Sequence, residues 1–471
     1  MTATEPHIAP DTPTTTIDAE YTRLRSAADD GVMHSHDERR RALRALRDML
    51  VTGTSDAEAA LAADLGKSAI ESWMTEIGFT IGQIDHALDH LDHWARPRRV
   101  RLQMTLRPGS ARIVPTPLGL VGIIAPWNYP LQLTLAPLVA AIAAGNTAMV
   151  KPSELAPATS AFLADRLPAA VGNHVGVVTG GVEPTSAMLE HRFDHMFYTG
   201  GARVARVVAA AAAQHLTPTT LELGGKSPAI VTESADLRIT ARRIAWGRFV
   251  NAGQTCVAPD YVLVPRHLRD GFVQHLVDAV GDLYGPDPSA SEDYGKIINT
   301  HHLSRLVGYL AEDGAGQIVI GGSADPDRRH LDPTVVIDPD PSTALMTDEI
   351  FGPILPVVTY DDLDDAIAQI RSRPHPLALY LFSTDDDQIA QVTARTTSGG
   401  MLVNHTLLHL AAEDLPFGGV GESGMGAYHG QVGFDTFSHL RSVMRRPMRP
   451  DPSLMYPPYS TLTRRLLRRL F

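Results

Sequence analysis

From residue 119 onward the chain alternates short β-branched runs with alanine-rich stretches, and no other feature constrains the fold as much. The runs GLVGIIA (119–125), TAMVK (147–151), GVVT (176–179) and HMFYT (195–199) are apolar on both faces, and stretches such as 131–144 and 202–213 carry helix-forming Ala and Leu. Apolar strands separated by helices predict βαβ units and a parallel sheet covered on both sides. A second series opens with PAIV (228–231) and YVLV (261–264) and includes ALYLF (378–382) and MLVN (401–404), which predicts a second α/β domain.

Upstream of residue 100 the apolar period is helical. Leu43, Leu46, Met49 and Leu50 share one stripe, and Ser55 with Glu58 reads as a capping box ahead of Ala59, Leu61 and Leu65, with Gly66 as the stop. A further helix carries Ile84, Leu88 and Leu91 on one stripe and His86, His90 and His93 on another, flanked by Asp85, Asp89 and Asp92. The histidines invite a metal reading. An acidic, imidazole-bearing face opposite an apolar stripe is nevertheless expected to be solvated, and no metal site is assigned. A Pro/Thr-rich leader of about sixteen residues reads as a loose terminus. RLQMTL (101–106) and ARIVPT (111–116) flank an Arg-Pro-Gly-Ser turn, so a hairpin or a pair of extended arms is expected near 100–116.

Charge and cysteine content narrow the class. The 471 residues carry 41 Lys and Arg against 53 Asp and Glu. The net charge of −12 repels a phosphate backbone, so nucleic acid is not an expected partner. One cysteine, Cys256, closes no intrachain disulfide, and a cytoplasmic protein is expected. The opening MTATEPHIAPDTPTTT lacks the basic start and apolar run of a signal peptide. The longest apolar stretch, Leu133 to Gly145, falls short of the roughly 18 residues of a membrane span. From Arg441 to Phe471 there are eight arginines and one aspartate. There Leu462, Leu466, Leu467, Leu470 and Phe471 share one half of a helical wheel, and Arg464, Arg465, Arg468 and Arg469 the other. This basic amphipathic helix is expected to dock on its own subunit or a partner subunit, with peripheral contact to anionic lipid as the other reading.

Three residues stand out for chemistry. Cys256 lies in Asn-Ala-Gly-Gln-Thr-Cys-Val-Ala-Pro, a polar, glycine-bearing approach unlike the apolar run around a packing cysteine. A thiol that attacks carbonyls through a covalent thioester needs a donor for the oxyanion and a base for water. Asn128, in Pro-Trp-Asn-Tyr-Pro directly after a strand, suits the first role, and its alternative is to cap the turn through its own backbone. Glu222, in Leu-Glu-Leu-Gly-Gly-Lys, suits the second, because burial would raise its pKa toward that of a useful base. Its alternative is a buried carboxylate tied to backbone donors. The G-x-G-x-x-G fingerprint is absent, but Thr-Gly-Gly-Ala-Arg-Val-Ala (199–205) follows a strand and opens a helix, so its amides could cradle a pyrophosphate. Lys151 and Glu154 could grip ribose hydroxyls or form an ordinary loop ion pair.

Together these stretches resemble the aldehyde dehydrogenase superfamily. PWNYP (126–130), KPSE (151–154), FYTGG (197–201), ELGGKSP (222–228), GQTCVAPDY (253–261), EIFGP (349–353) and PFGGVGESGMGAYHG (416–430) occur in family order. GQTCVAPDY and GMGAYHG, with FDTFSH (434–439) and the final MYPPYSTLTRRLLRRLF, resemble the class 3 branch of fatty, aromatic and coniferyl aldehyde dehydrogenases. The resemblance implies Cys256 as nucleophile, Asn128 as oxyanion donor and Glu222 as general base. It implies NAD, with NADP as an alternative, held at Lys151, Glu154, Gly200 and Gly201, with Glu349 and Phe351 near the nicotinamide ribose and Trp127 also among the cofactor residues. Gly201 stands where many members have Ser or Asn, and Ala205 where they often have Gly. The resemblance further implies a small-molecule aldehyde substrate and a homodimer.

The expected architecture is two Rossmann-like parallel-sheet domains, cofactor and catalytic, with an extended bridging segment. Residues 1–222 would form the cofactor domain, with bridging strands near 100–116. Residues 223–415 would form the catalytic domain, and 416–471 a return segment with a bridging strand and the basic tail. Two other readings compete with hydrolytic aldehyde oxidation: acyl transfer to coenzyme A, against which Glu222 argues, and a non-catalytic scaffold, against which the three filled positions argue.

Overall fold

The apolar runs pair as parallel strands because neither face of such a run tolerates water. The computed structural model describes residues 9–452 and 455–470. One six-stranded sheet runs, in spatial order, Gly424–Met425, Thr219–Glu222, His195–Thr199, Leu120–Ile124, Thr147–Lys151 and Val175–Val177, all parallel except the first. Chain order reverses between Leu120–Ile124 and His195–Thr199, so their carboxyl ends open a crevice of the kind in which α/β sheets bind ligands. Helix Gln132–Ala144 is buried almost all round, wedged between this sheet and helix Gly78–Trp94.

A seven-stranded sheet holds the second series in the order Gln317–Ile320, Thr334–Ile337, Ile354–Tyr360, Tyr261–Pro265, Pro228–Val231, Ala378–Phe382 and Gly400–Val403. Only its first strand is antiparallel. The chain then returns to the first sheet, where Gly424 and Met425 pair with Glu222 and Leu221. Gly424 has φ +146°, and a Cβ there would stand 2.3 Å from the Leu221 carbonyl, so no larger residue fits this edge.

Several local expectations change. Residues 1–8 of the leader lie outside the described residues, but its end is tied down: helix Thr14–Asp29 starts two residues after Thr12, whose N–H reaches the Thr179 carbonyl at 3.0 Å. The capping box does not form, because the helix already starts at Thr54 and takes up Ser55 and Glu58; Gly66 does stop it, with φ +66°. The hairpin's first arm sits upstream of its expected place. Arg98–Val100, not 101–106, pairs with Ser110–Pro117, and the third strand of that sheet is Ser438–Arg445.

The histidine face is not uniformly solvated. His86 packs 4.2 Å from the His90 ring, with its Nδ1 2.9 Å from Glu413, just ahead of the return segment. Among the described residues no group of three or more metal-ligating side chains converges, and no helix is long and apolar enough to cross a membrane. The tail does form a helix, Thr461–Leu470, but it does not dock on its own subunit: Leu462 is 72% exposed and Leu466 46%. Phe471 and the side chains of Arg469 and Leu470 lie outside the described residues.

At the amino ends of the second sheet's parallel strands three segments meet on one buried carboxylate. Asp260 accepts from Arg248 at 2.9 Å, from Lys226 at 2.7 Å and from the Ile350 N–H at 3.2 Å. Arg248 also donates to the carbonyls of Pro259 and Gly352, and Lys226 to those of Leu345 and Asp348. Asp260→Ala leaves two cations buried without their counterion and is expected to destabilise the fold by about 3–5 kcal/mol. Thermal unfolding measures this, with Asp361→Ala, at an exposed ion pair, leaving the midpoint unchanged.

Candidate active site

The crevice at the reversal of strand order collects residues from both sheets. Trp127 and Asn128 leave the end of Leu120–Ile124, Gly200 and Gly201 leave the end of His195–Thr199, and Glu222 ends the next strand. With Cys256, Glu349 and Phe351 from the second sheet's loops they line one cavity of about 290 Å³. Cys256 also borders a second cavity of about 250 Å³, almost wholly apolar, walled by Phe79, Leu133, Trp246, Leu407, Phe417 and Tyr428. One sulfur thus stands where two cavities meet, one carrying Asn128, Glu222 and Glu349 on its wall and the other lined chiefly by hydrocarbon.

The turn after the first strand is fixed from several sides. The Asn128 carbonyl accepts from Lys67 at 3.1 Å and from the Asn251 side chain at 2.8 Å. The Asn128 amide donates to the Gln254 carbonyl at 3.0 Å, not to its own backbone, so it is no simple turn cap. An amide has two N–H donors, and this bond uses one. The cysteine loop is equally constrained. Asn251 and Ala252 adopt φ of 53° and 50°, left-handed values that non-glycine residues hold only when their surroundings compel it. The Gln254 side chain supplies that compulsion, donating to the Asn251 and Lys296 carbonyls and accepting from the Ile298 N–H. Tyr129 Oη and Thr255 Oγ1 lie 2.6 Å apart, beside Cys256.

The site's acidic groups are short of partners. Glu222 is buried, and neither carboxyl oxygen meets a hydrogen-bond partner, which rules out a carboxylate tied to backbone donors. Burial pushes its pKa well above the usual carboxylate range. Glu349, which accepts from the Gly225 N–H, is pushed up to about 8, chiefly by burial and then by the charge of Asp260. Burial, then the carboxyls of Glu349 and Glu222, push the half-buried Cys256 thiol up to about 12. At neutral pH the sulfur therefore carries its proton in the resting protein.

The nucleotide-directed residues divide into two groups. Gly200 and Gly201 precede helix Ala202–Gln214, whose N-terminus has no side-chain cap, and nothing lies within 4 Å of where a Gly201 Cβ would be. The Gly200 N–H is taken by the Glu222 carbonyl at 2.9 Å, and the uncapped amides from Gly201 onward, facing open space, fit a pyrophosphate. Trp127 and Phe351 meet edge to face at 5.3 Å on the same cavity wall. Lys151 and Glu154 lie outside this cavity, at the end of the adjacent strand, and pair with each other at 2.6 Å. No local pattern marks Lys67, and neither Asn251 nor Gln254 stands out by type or spacing, although both sit within five residues of the cysteine.

The aldehyde dehydrogenase family model matches residues 9–443. Aldehyde dehydrogenase family 3 member B1 of Rattus norvegicus is 46% identical over 448 residues, covering 94% of this chain and 95% of its own. A dimeric, NADP-preferring aldehyde dehydrogenase of Canis lupus familiaris is 42% identical over 93% of this chain and 96% of its own. The substrate-bound state of Staphylococcus aureus AldH superposes with a TM-score of 0.94 at 40% identity, covering 97% of this chain and 99% of that one. With a site of this composition on a fold of this topology, the chain belongs to the aldehyde dehydrogenase family and is an NAD(P)-dependent oxidoreductase of its family 3 type.

Proposed function

We propose that the chain oxidises a hydrophobic aldehyde, aromatic or medium- to long-chain aliphatic, to the carboxylic acid through a covalent adduct on Cys256. The observation that carries this reading is the shared sulfur: the apolar cavity can take the substrate's hydrocarbon while its carbonyl reaches the cavity that holds Asn128 and Glu222. Attack begins when the thiol gives up its proton to solvent, and the sulfur bonds to the carbonyl carbon. The free N–H of Asn128 and the Cys256 backbone N–H then hold the oxyanion, each such donor contributing about 3–4 kcal/mol. NAD(P)+, when bound, supplies the hydride acceptor. The thioester left on Cys256 is cleaved by water that Glu222 deprotonates, releasing the acid and the free thiol.

The cofactor reading rests on the open amides after His195–Thr199 and the aromatic wall of Trp127 and Phe351. Because Lys151 already neutralises Glu154, that carboxylate does not stand alone against a 2′-phosphate, and both NAD+ and NADP+ are compatible with the site. Residues 1–222 would act as the cofactor half, 223–415 as the catalytic half, and 416–471 as the return segment and tail. The exposed leucines and arginines of the tail fit the acidic surface of a second copy in a homodimer. A single free cysteine suits the cytoplasm.

Cys256→Ala is expected to abolish NADH production, whereas Glu222→Gln gives a burst stoichiometric with enzyme and slow turnover after it. Stopped-flow absorbance at 340 nm distinguishes the two, and wild-type turnover in the cysteine variant would overturn the covalent route. Along a series of straight-chain alkanals kcat/KM should rise roughly fourfold per methylene until the apolar cavity is filled. A flat series would remove the hydrophobic assignment. Because the thiol is raised, its reactive form grows with pH: alkylation of the cofactor-free enzyme by iodoacetamide should climb about tenfold per unit from pH 7 to 9 with no plateau. A plateau below pH 8 would contradict the raised value.

A further inference from the structure

A charge pair that the reaction above does not use lies beneath the oxyanion turn. Lys67 and Glu76 have fully buried side chains 2.5 Å apart. Taking both ions out of water costs several kcal/mol each, which the pair's attraction offsets only where further hydrogen bonds satisfy the remaining donors and acceptors. Here those further bonds converge on one turn. Lys67 donates to the Asn128 carbonyl at 3.1 Å and stands 3.9 Å over the Tyr129 ring. Glu76 accepts from the N–H groups of Leu131 at 2.8 Å and Gln132 at 3.2 Å. The pair therefore grips the backbone of 128–132 from beneath, while Gln254 holds the Asn128 side chain from the cysteine loop.

We propose that Lys67 and Glu76 are positioning residues for the oxyanion: the ion pair fixes the turn so that the uncommitted N–H of Asn128 meets the adduct oxygen on Cys256. This rests on the reading of Asn128 as an oxyanion donor. The pair touches neither substrate nor cofactor and acts through the turn alone. A buried pair of this kind could instead serve only folding, and the two roles differ in a measurable way. A positioning role disappears when the residue it positions is gone, whereas a folding role persists.

The test is a cycle on the first acylation step, read without cofactor. 4-Nitrophenyl acetate acylates a thiol through the same tetrahedral oxyanion: the sulfur–carbon bond forms, 4-nitrophenolate leaves, and the thiol proton passes to solvent. Lys67→Met with Glu76→Gln removes both charges together, and the glutamine carbonyl still accepts from the Leu131 and Gln132 N–H groups. In the full-length protein the burst of nitrophenolate should slow about 100-fold, the loss expected from a misplacement of about 1 Å, with KM for the ester unchanged. In an Asn128→Ala background the same double substitution should change the burst less than about twofold. An undiminished burst in the wild-type background, or equal losses in both backgrounds, would overturn the proposal. If Asn128→Ala alone leaves the burst intact, the oxyanion reading itself fails, and the proposal falls with it. Should the double variant not fold, as judged by its thermal midpoint, Glu76→Gln alone runs through the same cycle.

Discussion

One buried aspartate sets the relation of the loops that make this site. Asp260 lies between Arg248 and Lys226 and through them ties down the segments leading from Glu222, surrounding Cys256 and carrying Glu349. Each segment alone would be a surface loop with several conformations available to it. With a single anion shared between two cations and a backbone amide, any one loop can shift only by leaving another's charge unpaired. The thiol, the Glu222 carboxyl and the aromatic wall are held together by electrostatics outside the cavity, and the cavity itself is free of that burden.

That arrangement explains why the cavity's own ionisable groups are so poorly satisfied. Glu222 has no partner for either oxygen, and burial with the carboxyls of Glu349 and Glu222 holds the Cys256 thiol in its protonated form. Groups in this condition resist charge, so each favours its proton, and a carboxyl of raised pKa is the stronger base toward a water beside it. A close lysine would relieve the desolvation but would also quench the basicity of Glu222. The cations nearby are turned elsewhere: Lys67 and Arg248 to backbone carbonyls and to carboxylates outside the cavity, and Arg305, on the cavity wall, to the Ile350 and Phe351 carbonyls.

The parallel sheets were legible because a strand covered on both faces must be apolar throughout, which separates runs such as TAMVK and ALYLF from everything around them. The three chemical residues were legible because each sits in a short segment whose composition makes little sense as packing. What escaped depended on partners remote in sequence. The first hairpin arm is fixed by register with Ser110–Pro117, so its place could not be read from the turn alone. The capping box failed because the helix begins two residues earlier than a Ser55 cap would place it, at Thr54. Lys67 and Glu76 flank what reads as a helix stop and a new helix; only the fold brings them under the Pro-Trp-Asn turn. Lys151 and Glu154 have the chemistry of nucleotide ligands but meet each other, outside the cavity around the cysteine.

The edge strand Gly424–Met425 has a consequence for how such a protein is made. Glu222 is covered on that side by residues about two hundred positions further along, and the Leu223 N–H is bonded to the Ser423 carbonyl. A ribosome therefore releases the thiol and its base long before the segment that finishes the enclosure of Glu222. Until the chain is nearly complete, the acid remains wet and ordinary in strength, so the nascent polypeptide carries its reactive parts unarmed through most of its synthesis.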